Sequence, residues 1–221
     1  MPRRSKISMS VIRRLPRYYR FLSDLLEKGV ARISSGELSK LTGLTASQIR
    51  QDLNCFGGFG QQGYGYDVER LYNEMGNILG VDNGYTAILV GCGNLGRAVA
   101  IHLLGSQSSA FRLTAAFDKN PMLVGASLHG LHVFDSEQLG DYCTEHHPDA
   151  AFLCLPSEGT SAVVDLLYSH GVRTFWNFSH FDIAMRYPDA IVENVHLTDS
   201  LLTLCYRVSN DRTDDGEDVS D

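Results

Sequence analysis

The stretch from residue 88 to residue 118 constrains this chain more than any other. It begins with the buried-strand pattern Ile88-Leu89-Val90, continues through Gly91-Cys92-Gly93-Asn94-Leu95-Gly96 and an apolar run, and ends in a second strand at Phe117-Asp118. A GxGxxG string alone is weak evidence, but this one follows a strand, opens a helix-like segment and precedes an acid at the end of the next strand. That context predicts a dinucleotide-binding βαβ unit.

Each position of the glycine loop has a physical reason. Gly91 permits a tight turn, Gly93 lets the backbone approach a pyrophosphate, and Gly96 lets the helix pack close to the sheet. The helix N-terminus offers free N–H groups and a partial positive charge to the phosphates. Asp118 can accept both ribose hydroxyls and repel a 2′-phosphate, so NAD(H) is favoured over NADP(H), although Lys119 weakens that preference. The alternative is a glycine-rich turn without a ligand.

Bulk composition describes an ordinary globular protein. The 221 residues are 43% hydrophobic and 20% charged. No apolar run approaches the roughly 20 residues that a membrane-spanning helix needs. The basic start of the chain is not followed by the apolar core of a signal peptide. These features predict a cytoplasmic protein without a membrane partner.

The five cysteines are odd in number, widely spaced and without a CxxC pair. In a reducing compartment such a set is typical of small buried residues, not of a disulfide framework or a zinc site. Cys92 has an alternative, because a thiol beside a helix N-terminus has a lowered pKa and is readily oxidised. We favour packing for Cys92, since free cysteine usually behaves as a small hydrophobe.

The net charge of −7 conceals a division of the chain. Residues 1–60 hold eleven Lys and Arg against four Asp and Glu, whereas residues 61–221 hold eight against twenty-two, giving +7 and −14. Such asymmetry indicates a polyanion, such as nucleic acid, as the partner of the basic part. The acidic remainder would be repelled from nucleic acid.

The N-terminal segment combines helical periodicity with arginine. Apolar residues at helical spacing predict a helix over residues 8–28, and Pro16 predicts a kink or a new helix start. Arginines without interleaved acids favour a phosphate-contacting surface over an ordinary solvated face. They are Arg13, Arg14, Arg17 and Arg20.

Two short helices follow and predict a helix-turn-helix over about residues 17–56. Ser34 and Glu37 form a capping-box pattern before the first helix, and a tight turn at Gly43 leads to the second, over residues 46–54. In this motif the second helix enters the major groove, where arginine can bind guanine and glutamine can bind adenine through paired hydrogen bonds. The candidates for base contacts are Ser47, Gln48, Arg50 and Gln51.

The glycine-rich stretch over residues 57–66 has alternating aromatic residues, which predict a β-hairpin. This hairpin would be the wing of a winged helix. A flexible linker is the alternative, but the adjacent helix-turn-helix favours the wing. A helix over residues 68–79 completes an N-terminal domain of residues 1–80, and residues 80–84 form the boundary.

Beyond the boundary, strands and helices alternate, which is typical of a parallel sheet covered on both faces. The pattern predicts an α/β fold, with a doubly wound Rossmann domain over residues 85–196. The expected strands are residues 86–90, 113–117, 131–134, 150–155, 173–177 and 190–194, and the expected helices between them are residues 94–104, 137–146 and 159–170.

Two strand ends carry residues that can line a nucleotide pocket. One strand ends at Leu155-Pro156-Ser157, and the next ends at Trp176-Asn177-Phe178-Ser179. Ligands of open α/β sheets lie at this carboxyl edge, so these residues can contact nicotinamide or adenine. Ordinary loop chemistry is an equal alternative.

The C-terminal end of the chain has an apolar segment and an acidic tail. Little of the sheet is left for residues 197–208 to cover, so packing across a dimer partner is one way to bury them. Residues 209–221 are acidic, with Val219 as the aliphatic residue, and are expected to be disordered.

Catalytic machinery is not evident in the sequence. A dehydrogenase needs an acid or base above the nicotinamide, and the eight histidines show neither an HExxH pattern nor a pairing with a nucleophile. An NAD-dependent oxidoreductase with an ancillary DNA-binding domain is therefore the weaker hypothesis. A CoA- or nucleotide-binding module resembling a ligase subunit is a third, which Asp118 at the ribose position disfavours.

Six segments carry a family likeness: Arg14-Leu15-Pro16-Arg17-Tyr18-Tyr19-Arg20, Arg32-Ile33-Ser34-Ser35, Gln48-Ile49-Arg50-Gln51-Asp52-Leu53, Phe56-Gly57 through Gly63-Tyr64-Gly65-Tyr66, Val90 through Gly96, and Asn177-Phe178. With them, the chain over residues 8 to about 208 resembles the Rex family of redox-sensing transcriptional repressors. The resemblance implies a winged helix joined to a Rossmann domain, in a homodimer whose terminal helices, residues 197–208, are swapped. It implies a regulator, not an enzyme.

The resemblance also implies a switch. NAD+ permits binding to double-stranded operator DNA, while NADH closes the dimer and releases DNA. Gly91 to Gly96 and Asp118 match the cofactor positions of the family, and Arg50 and the wing match its DNA-contacting positions. With the candidates argued above, the predicted cofactor-binding residues are Gly91, Cys92, Gly93, Asn94, Leu95, Gly96, Asp118, Lys119, Pro156, Asn177, Phe178 and Leu197. The predicted DNA-binding residues are Arg14, Arg17, Ser34, Ser47, Gln48, Arg50, Gln51, Gln61, Gln62 and Tyr64.

This chain departs from its relatives at positions that carry the switch. The swapped helix of other members begins with an aspartate that pairs with an arginine, here Arg20, or with a tyrosine of the partner. The aspartate and tyrosine positions are occupied by His196 and His102. An Asp–Arg bridge cannot form from His196, and a histidine can add pH sensitivity. In the wing, Gln61 and Gln62 replace basic residues of several relatives.

Overall fold

The computed structural model describes residues 7–57, 59–61, 64–105 and 110–214, and the chain divides into two compact units, Met1–Asn83 and Gly84–Asp221. In chain order, the first unit contains α1 (Met9–Ile12), α2 (Leu15–Glu27), β1 (Arg32–Ile33), α3 (Ser35–Thr42), α4 (Ala46–Asn54), β2 (Gly60–Gln61), β3 (Gly65–Asp67) and α5 (Val68–Leu79).

The N-terminal segment forms two helices, where the periodicity predicts one over residues 8–28. Pro16 lies in the first turn of α2, where its missing N–H leaves no helical hydrogen bond unmade. It therefore starts a new helix, one of the two outcomes expected of it. Leu15, Tyr18 and Leu22 turn the same face of α2 into the core of the unit, where α2 packs against α5.

A small antiparallel sheet in the order β1-β3-β2 supports the glycine-rich stretch. β2 and β3 pair with Gly60 opposite Tyr66, which forms the hairpin that the sequence predicts. The sequence does not predict β1, which pairs with β3 through Ile33 and Tyr66. Gln62 and the side chain of Gln61, two predicted wing contacts, lie outside the described residues.

The second unit is built on a mostly parallel sheet. Its elements are β4 (Tyr85–Val90), α6 (Asn94–Gly105), β5 (Phe111–Asp118), β6 (Ser127–Leu128), β7 (Leu131–Asp135), a 3₁₀ turn (Ser136–Gln138), α7 (Leu139–His146), β8 (Ala150–Leu153), α8 (Ser157–Ser169), β9 (Thr174–Asn177), α9 (Ile183–Arg186), β10 (Ile191–Asn194) and α10 (Leu197–Asp214).

The strand order identifies a doubly wound fold. It runs β10-β9-β8-β4-β5-β7-β6, and every pair is parallel except β6 with β7. Without β6, this is the dinucleotide-binding order, with the direction of winding reversed between β4 and β8. Ligands of such sheets bind outside the carboxyl ends of the strands at that reversal. The glycine loop follows β4 and therefore lies there.

Alternate residues of β4 enter two separate cores, as the two-residue period of a strand requires. Ile88 and Val90 pack with α7 and α8, whereas Ala87 and Leu89 pack with α6. Residues 119–126 form turns where a standard doubly wound fold has a helix, and β6 and α9 are additions that the sequence does not predict. On the α6 side, Phe152, Trp176 and Ile191 border an apolar pocket of about 310 Å³.

α10 presents its side chains to solvent. It continues to Asp214, so the expectation of disorder over residues 209–221 is wrong for residues 209–214. No described residue of α10 up to position 211 is buried within the chain. Its exposed apolar side chains are Leu197, Leu201, Leu202, Leu204, Tyr206 and Val208. None of the described helices has the length and apolar character to cross a lipid bilayer.

Candidate nucleotide site and DNA-binding surface

The glycine loop has the geometry of a phosphate-binding turn. Gly91 has φ +96°, and a side chain there would collide with the carbonyl of Cys154. A side chain at Gly96 would collide with the carbonyl of Gly91, because α6 passes close to the loop. A Cβ at Gly93 would instead meet nothing within 4 Å. The loop is thus tight where it meets the sheet and open where a ligand would approach.

Asp118 is hydrogen-bonded to this loop. Its Oδ2 accepts the backbone N–H of Cys92 at 2.6 Å, and its Oδ1 accepts the N–H of Asn120 at 2.8 Å. The carboxylate at the end of β5 is therefore fixed beside the turn after β4. A carboxylate oxygen has more than one lone pair, so both oxygens can still accept hydroxyl groups.

The glycine loop and Asp118 line the same pocket, which has a volume of about 250 Å³. Predicted residues Gly91, Gly93, Asp118, Lys119 and Pro156 line it. Leu155, beside Pro156 at the predicted strand end, also lines it, whereas sequence reasoning missed Ser136, Cys154, Glu158, Gly159 and Val163. The sequence could have indicated them, because they follow β7 and β8 and so lie at the carboxyl edge of the sheet, where ligands bind.

The residues present fit a dinucleotide. The open side of Gly93 leaves room for a pyrophosphate, and α6 begins at the next residue, Asn94, so that N–H groups of its first turn can donate to phosphate. Asp118 lies at one side of the pocket, where a ribose can donate to it. Of the other predicted residues, Asn94 and Leu95 are exposed at the start of α6.

Asn177 has a different role from the one predicted. It is fully buried, and its amide nitrogen donates to the carbonyls of Ser179 and Phe181 and to Asn194 Oδ1. Its Oδ1 accepts the N–H and hydroxyl of Ser179. The side chain therefore shapes the loop after β9, and neither it nor Phe178 lines the pocket beside the glycine loop.

The cysteines divide into two groups. Cys92 is buried, and burial together with the nearby Asp118 raises its pKa to about 11, which favours packing over a readily oxidised thiolate. Cys143 is buried and Cys154 is half-buried. Cys55 and Cys205 are exposed, which contradicts the expectation that all five are buried. Among the described residues, no cluster of three or more His, Cys, Asp or Glu could hold a metal ion.

A buried carboxylate organises the helix-turn-helix. Asp52 Oδ2 accepts Arg14 Nε–H and the Tyr18 hydroxyl, each at 2.7 Å. Oδ1 accepts Arg14 Nη2–H at 2.7 Å and Gln48 Nε2–H at 2.9 Å. Burial drives the pKa of Asp52 upward, but these hydrogen bonds outweigh it and hold the pKa below its ordinary value. The network ties α2 to α4.

This network corrects the prediction for Arg14. Two sides of its guanidinium are directed at a buried acid instead of at solvent, and its pKa is raised by the hydrogen bond to Asp52. Ser34 is likewise engaged, because it forms with Glu37 the capping box that starts α3. The sequence identified the capping box correctly but also assigned Ser34 to DNA. Arg17 and Arg20 are exposed on α2.

α4 presents a polar face. Ser47, Arg50 and Gln51 are exposed as predicted, whereas Gln48 is half-buried against Asp52. Arg50 Nη1 donates to Ser35 Oγ at 2.9 Å, which directs the arginine toward the start of α3. Asn54 is also exposed, and its spacing of four residues from Arg50 could have placed it on this face.

The base of the wing has an aromatic contact. Tyr64 is 71% exposed, and the guanidinium of Arg32 lies 6.0 Å from its ring centroid. Arg32 Nη1 also donates to the carbonyl of Tyr64 at 3.3 Å. Arg32 was not among the predicted contacts, although the pairing of β1 with β3 brings it beside the wing.

The two histidines at the switch positions are separate within one chain. His196 Nε2 lies 3.2 Å from the carbonyl oxygen of Ser179, and Nδ1 lies 3.4 Å from Asp199 Oδ2. The ring of His180 is 5.2 Å from that of His196. His102 is exposed on α6, and no hydrogen bond or ring contact among the described residues joins it to His196.

Comparison with known proteins supports both units. Residues 6–54 match the family model described as a putative DNA-binding protein N-terminus, and residues 82–181 match the CoA binding domain. The redox-sensing transcriptional repressor Rex of Thermoanaerobacter pseudethanolicus is 48% identical over 96% of this chain and 93% of its own length. The Rex protein of Clostridioides difficile is 50% identical over 90% and 94%, respectively.

Solved structures agree with these sequence relatives. RSP, a Rex-family repressor, in complex with NAD+ and operator DNA has a TM-score of 0.86 and 46% identity over 97% of this chain and all of that chain. RSP in complex with NADH has the same TM-score and 44% identity, over 96% and 99% of the two chains.

The fold and the two sites define a DNA-binding regulator with a Rossmann domain. The likeness to the Rex proteins extends over nearly the whole chain and both units. The chain belongs to the Rex family of redox-sensing transcriptional repressors.

Proposed function

We propose that this protein represses transcription by binding double-stranded operator DNA when NADH is low and releasing it when NADH binds. The observation that carries the proposal is the presence, in one chain, of the Asp118-anchored glycine loop and the exposed polar face of α4. RSP, a relative with the same fold, has been solved with NAD+ and operator DNA and with NADH. A cytoplasmic location belongs to the same proposal.

In the nucleotide site, the N–H groups at the start of α6 bind the pyrophosphate, and Asp118 accepts the adenosine ribose hydroxyls. Lys119, Ser136 and Glu158 surround the adenine side of the pocket. Pro156 leads from the pocket toward the end of β9, where Phe178 is half-buried. Leu197, exposed at the start of α10, reaches the cofactor of a second copy.

In the DNA site, α4 enters the major groove and presents Ser47, Arg50 and Gln51 to base edges. Arg17 on α2 contacts a phosphate, and Tyr64 of the wing contacts the adjacent groove. The exposure of these side chains supports the assignment. We leave Arg14 and Ser34 out of this surface, because the network at Asp52 and the capping box engage them.

The working form is a homodimer in which α10 packs on a second copy. Burying a leucine side chain contributes about 1.5 to 3 kcal/mol, so the exposed apolar side chains of α10 favour association strongly. The open sheet face at Phe152, Trp176 and Ile191 supplies an apolar surface of the kind that such a helix covers. Arg20, His102 and His196 form the switch contacts between the copies.

The deciding experiment is a titration of a labelled palindromic operator with the full-length protein at fixed NADH/NAD+ ratios. We expect NADH to weaken operator binding and NAD+ to leave it strong. Non-operator DNA of the same length is the control for charge alone. Equal operator affinity at all ratios would contradict the proposal. Calorimetry with NADH, NADPH and CoA on the same protein separates the dinucleotide site from a CoA site.

A further inference from the structure

The amide of Gln48 has a fixed orientation. Asp52, held between Arg14 and Tyr18, is buried and accepts hydrogen bonds without donating any. The group that Gln48 turns toward it at 2.9 Å must therefore be the amide nitrogen. The amide oxygen is directed away from the carboxylate.

Gln48 lies where that oxygen can matter. It is half-buried at the edge of the exposed face that Ser47 and Gln51 define on α4. In the major groove, adenine and cytosine present amino groups, whereas guanine and thymine present carbonyl acceptors at the equivalent positions. The amide oxygen is the end of Gln48 that Asp52 does not hold, and as an acceptor it can pair with the first class and is repelled by the second.

We propose that Asp52 is a positioning residue for operator recognition: by holding the amide nitrogen of Gln48, it makes position 48 an acceptor that selects a base with an exocyclic amino group. This inference rests on the proposed function, since it takes α4 as the helix that reads bases. Arg14 and Tyr18 have a supporting role, because their hydrogen bonds keep the carboxylate in place. Gln48 and Asp52 therefore lie on α4, whereas the two residues that hold the Asp52 carboxylate in place come from α2 and its N-cap.

The test measures base preference in addition to affinity. Full-length protein with NAD+ is titrated against an operator series that carries each base pair in turn at every half-site position. For the wild type we expect at least a tenfold preference for adenine or cytosine at one position. Gln48→Met, which is nearly isosteric, should reduce that preference to within about twofold.

Asp52→Asn provides the second arm. We expect it to relax the preference at the same position as Gln48→Met, and the double variant should lose no more than either single variant, because the two residues act as a unit. Affinity for non-operator DNA should change less than threefold in every variant. A merely structural role of Asp52 would instead weaken both kinds of DNA and leave the base preference intact.

The outcomes separate this inference from the proposed function. If the wild type binds operator no better than other DNA, the proposed function fails. If the wild type discriminates but Gln48→Met retains the full preference, Gln48 is not the base-selecting group and this inference fails while the proposed function stands. If only Asp52→Asn retains the preference, the positioning role of Asp52 fails. Should the first unit of Asp52→Asn not fold, as judged by loss of helical circular dichroism, Tyr18→Phe removes one hydrogen bond to the carboxylate and keeps its charge. We expect Tyr18→Phe to reduce the preference two- to fivefold, and an unchanged preference would count against the inference.

Discussion

The backbone N–H of Cys92 and the carboxylate of Asp118 are joined by a hydrogen bond of 2.6 Å. The loop after β4 and the end of β5 are therefore one structural unit. A change at the acid affects both the ribose contact and the shape of the turn. A substitution that tests the charge of Asp118 alone must therefore keep an acceptor for the Cys92 N–H.

Asp118→Asn is that substitution. The amide oxygen can still accept the Cys92 N–H, but the charge that repels a 2′-phosphate is gone. We expect the preference for NADH over NADPH to fall about tenfold, which corresponds to about 1.4 kcal/mol. Calorimetric titration with both dinucleotides measures it. Lys119→Gln is the matched control, and it should weaken NADPH relative to NADH; an unchanged ratio in Asp118→Asn would contradict the ribose assignment.

Two glycines of the loop should respond differently to alanine. Gly91→Ala places a side chain at φ +96° against the Cys154 carbonyl, so we expect destabilisation of at least about 1 to 3 kcal/mol from backbone strain. Gly93→Ala has open space and should change the free energy of unfolding by less than about 0.5 kcal/mol. Gly93→Ala should nevertheless weaken NADH binding at least tenfold. Urea unfolding and NADH fluorescence distinguish the two, and normal NADH affinity in Gly93→Ala would be inconsistent with phosphates at that side of the loop.

Asp52 should make stability fall in acid. Its pKa is lower in the folded protein than in the unfolded chain, so its contribution is present above the unfolded value of about 3.9 and is lost as the pH falls through the folded pKa. We expect the free energy of unfolding to decline less steeply below about pH 4 in Asp52→Asn than in the wild type. Urea titrations between pH 3 and pH 7 test this, with Asp24→Asn on α2 as the control for net charge. Parallel profiles for wild type and Asp52→Asn would refute it.

The thiols should differ in reactivity. Cys92 and Cys143 are buried, and burial raises the pKa of each to about 11, so they are protonated at neutral pH. Cys55 is exposed and should react with a disulfide reagent at pH 8 much faster, by about a hundredfold or more. Time-resolved thiol titration of the wild type and Cys55→Ser measures this. Rapid modification of Cys92 in the folded protein would overturn the assignment of that thiol to packing.

Substitutions on α10 should separate assembly from folding. Leu201 and Leu204 are exposed in the single chain, so replacing both with aspartate leaves its buried core unchanged. We expect the Leu201→Asp, Leu204→Asp double variant to be monomeric, with NADH binding retained in part and operator binding lost. Analytical ultracentrifugation gives the mass, and Thr203→Asp on the same helix controls for added charge. A dimer that persists in the double variant would rule out α10 as the interface.

Sequence predicted the features that depend on local pattern. The glycine loop, Asp118, α4 and the hairpin after it each follow from neighbouring residues, and the doubly wound fold follows from the order of strands and helices. Pairings across the chain were not accessible. The bond between Arg14 and Asp52 spans 38 positions, and a run of arginines gives no indication that one of them is committed to a buried acid.

The same limit applies at the cofactor pocket. Ser136 and Glu158 come from different strand ends, and only the sheet brings them beside Asp118. Asn177 has the residue type and position of a ligand, yet the loop after β9 uses all of its amide. At the C-terminal end, the acidic composition after residue 208 predicted disorder, although α10 continues to Asp214.

In the proposed function, the pocket beside the glycine loop would contact the part of a dinucleotide that is chemically identical in its oxidised and reduced forms. Gly91, Asp118 and Glu158 line this pocket, where we propose that ribose, adenine and phosphate bind. Such a pocket determines how much total dinucleotide the protein holds, while discrimination between the two forms depends on contacts elsewhere, toward the end of β9 and the second copy. Variants of the loop should therefore shift the total concentration at which the protein saturates without altering the ratio at which it responds.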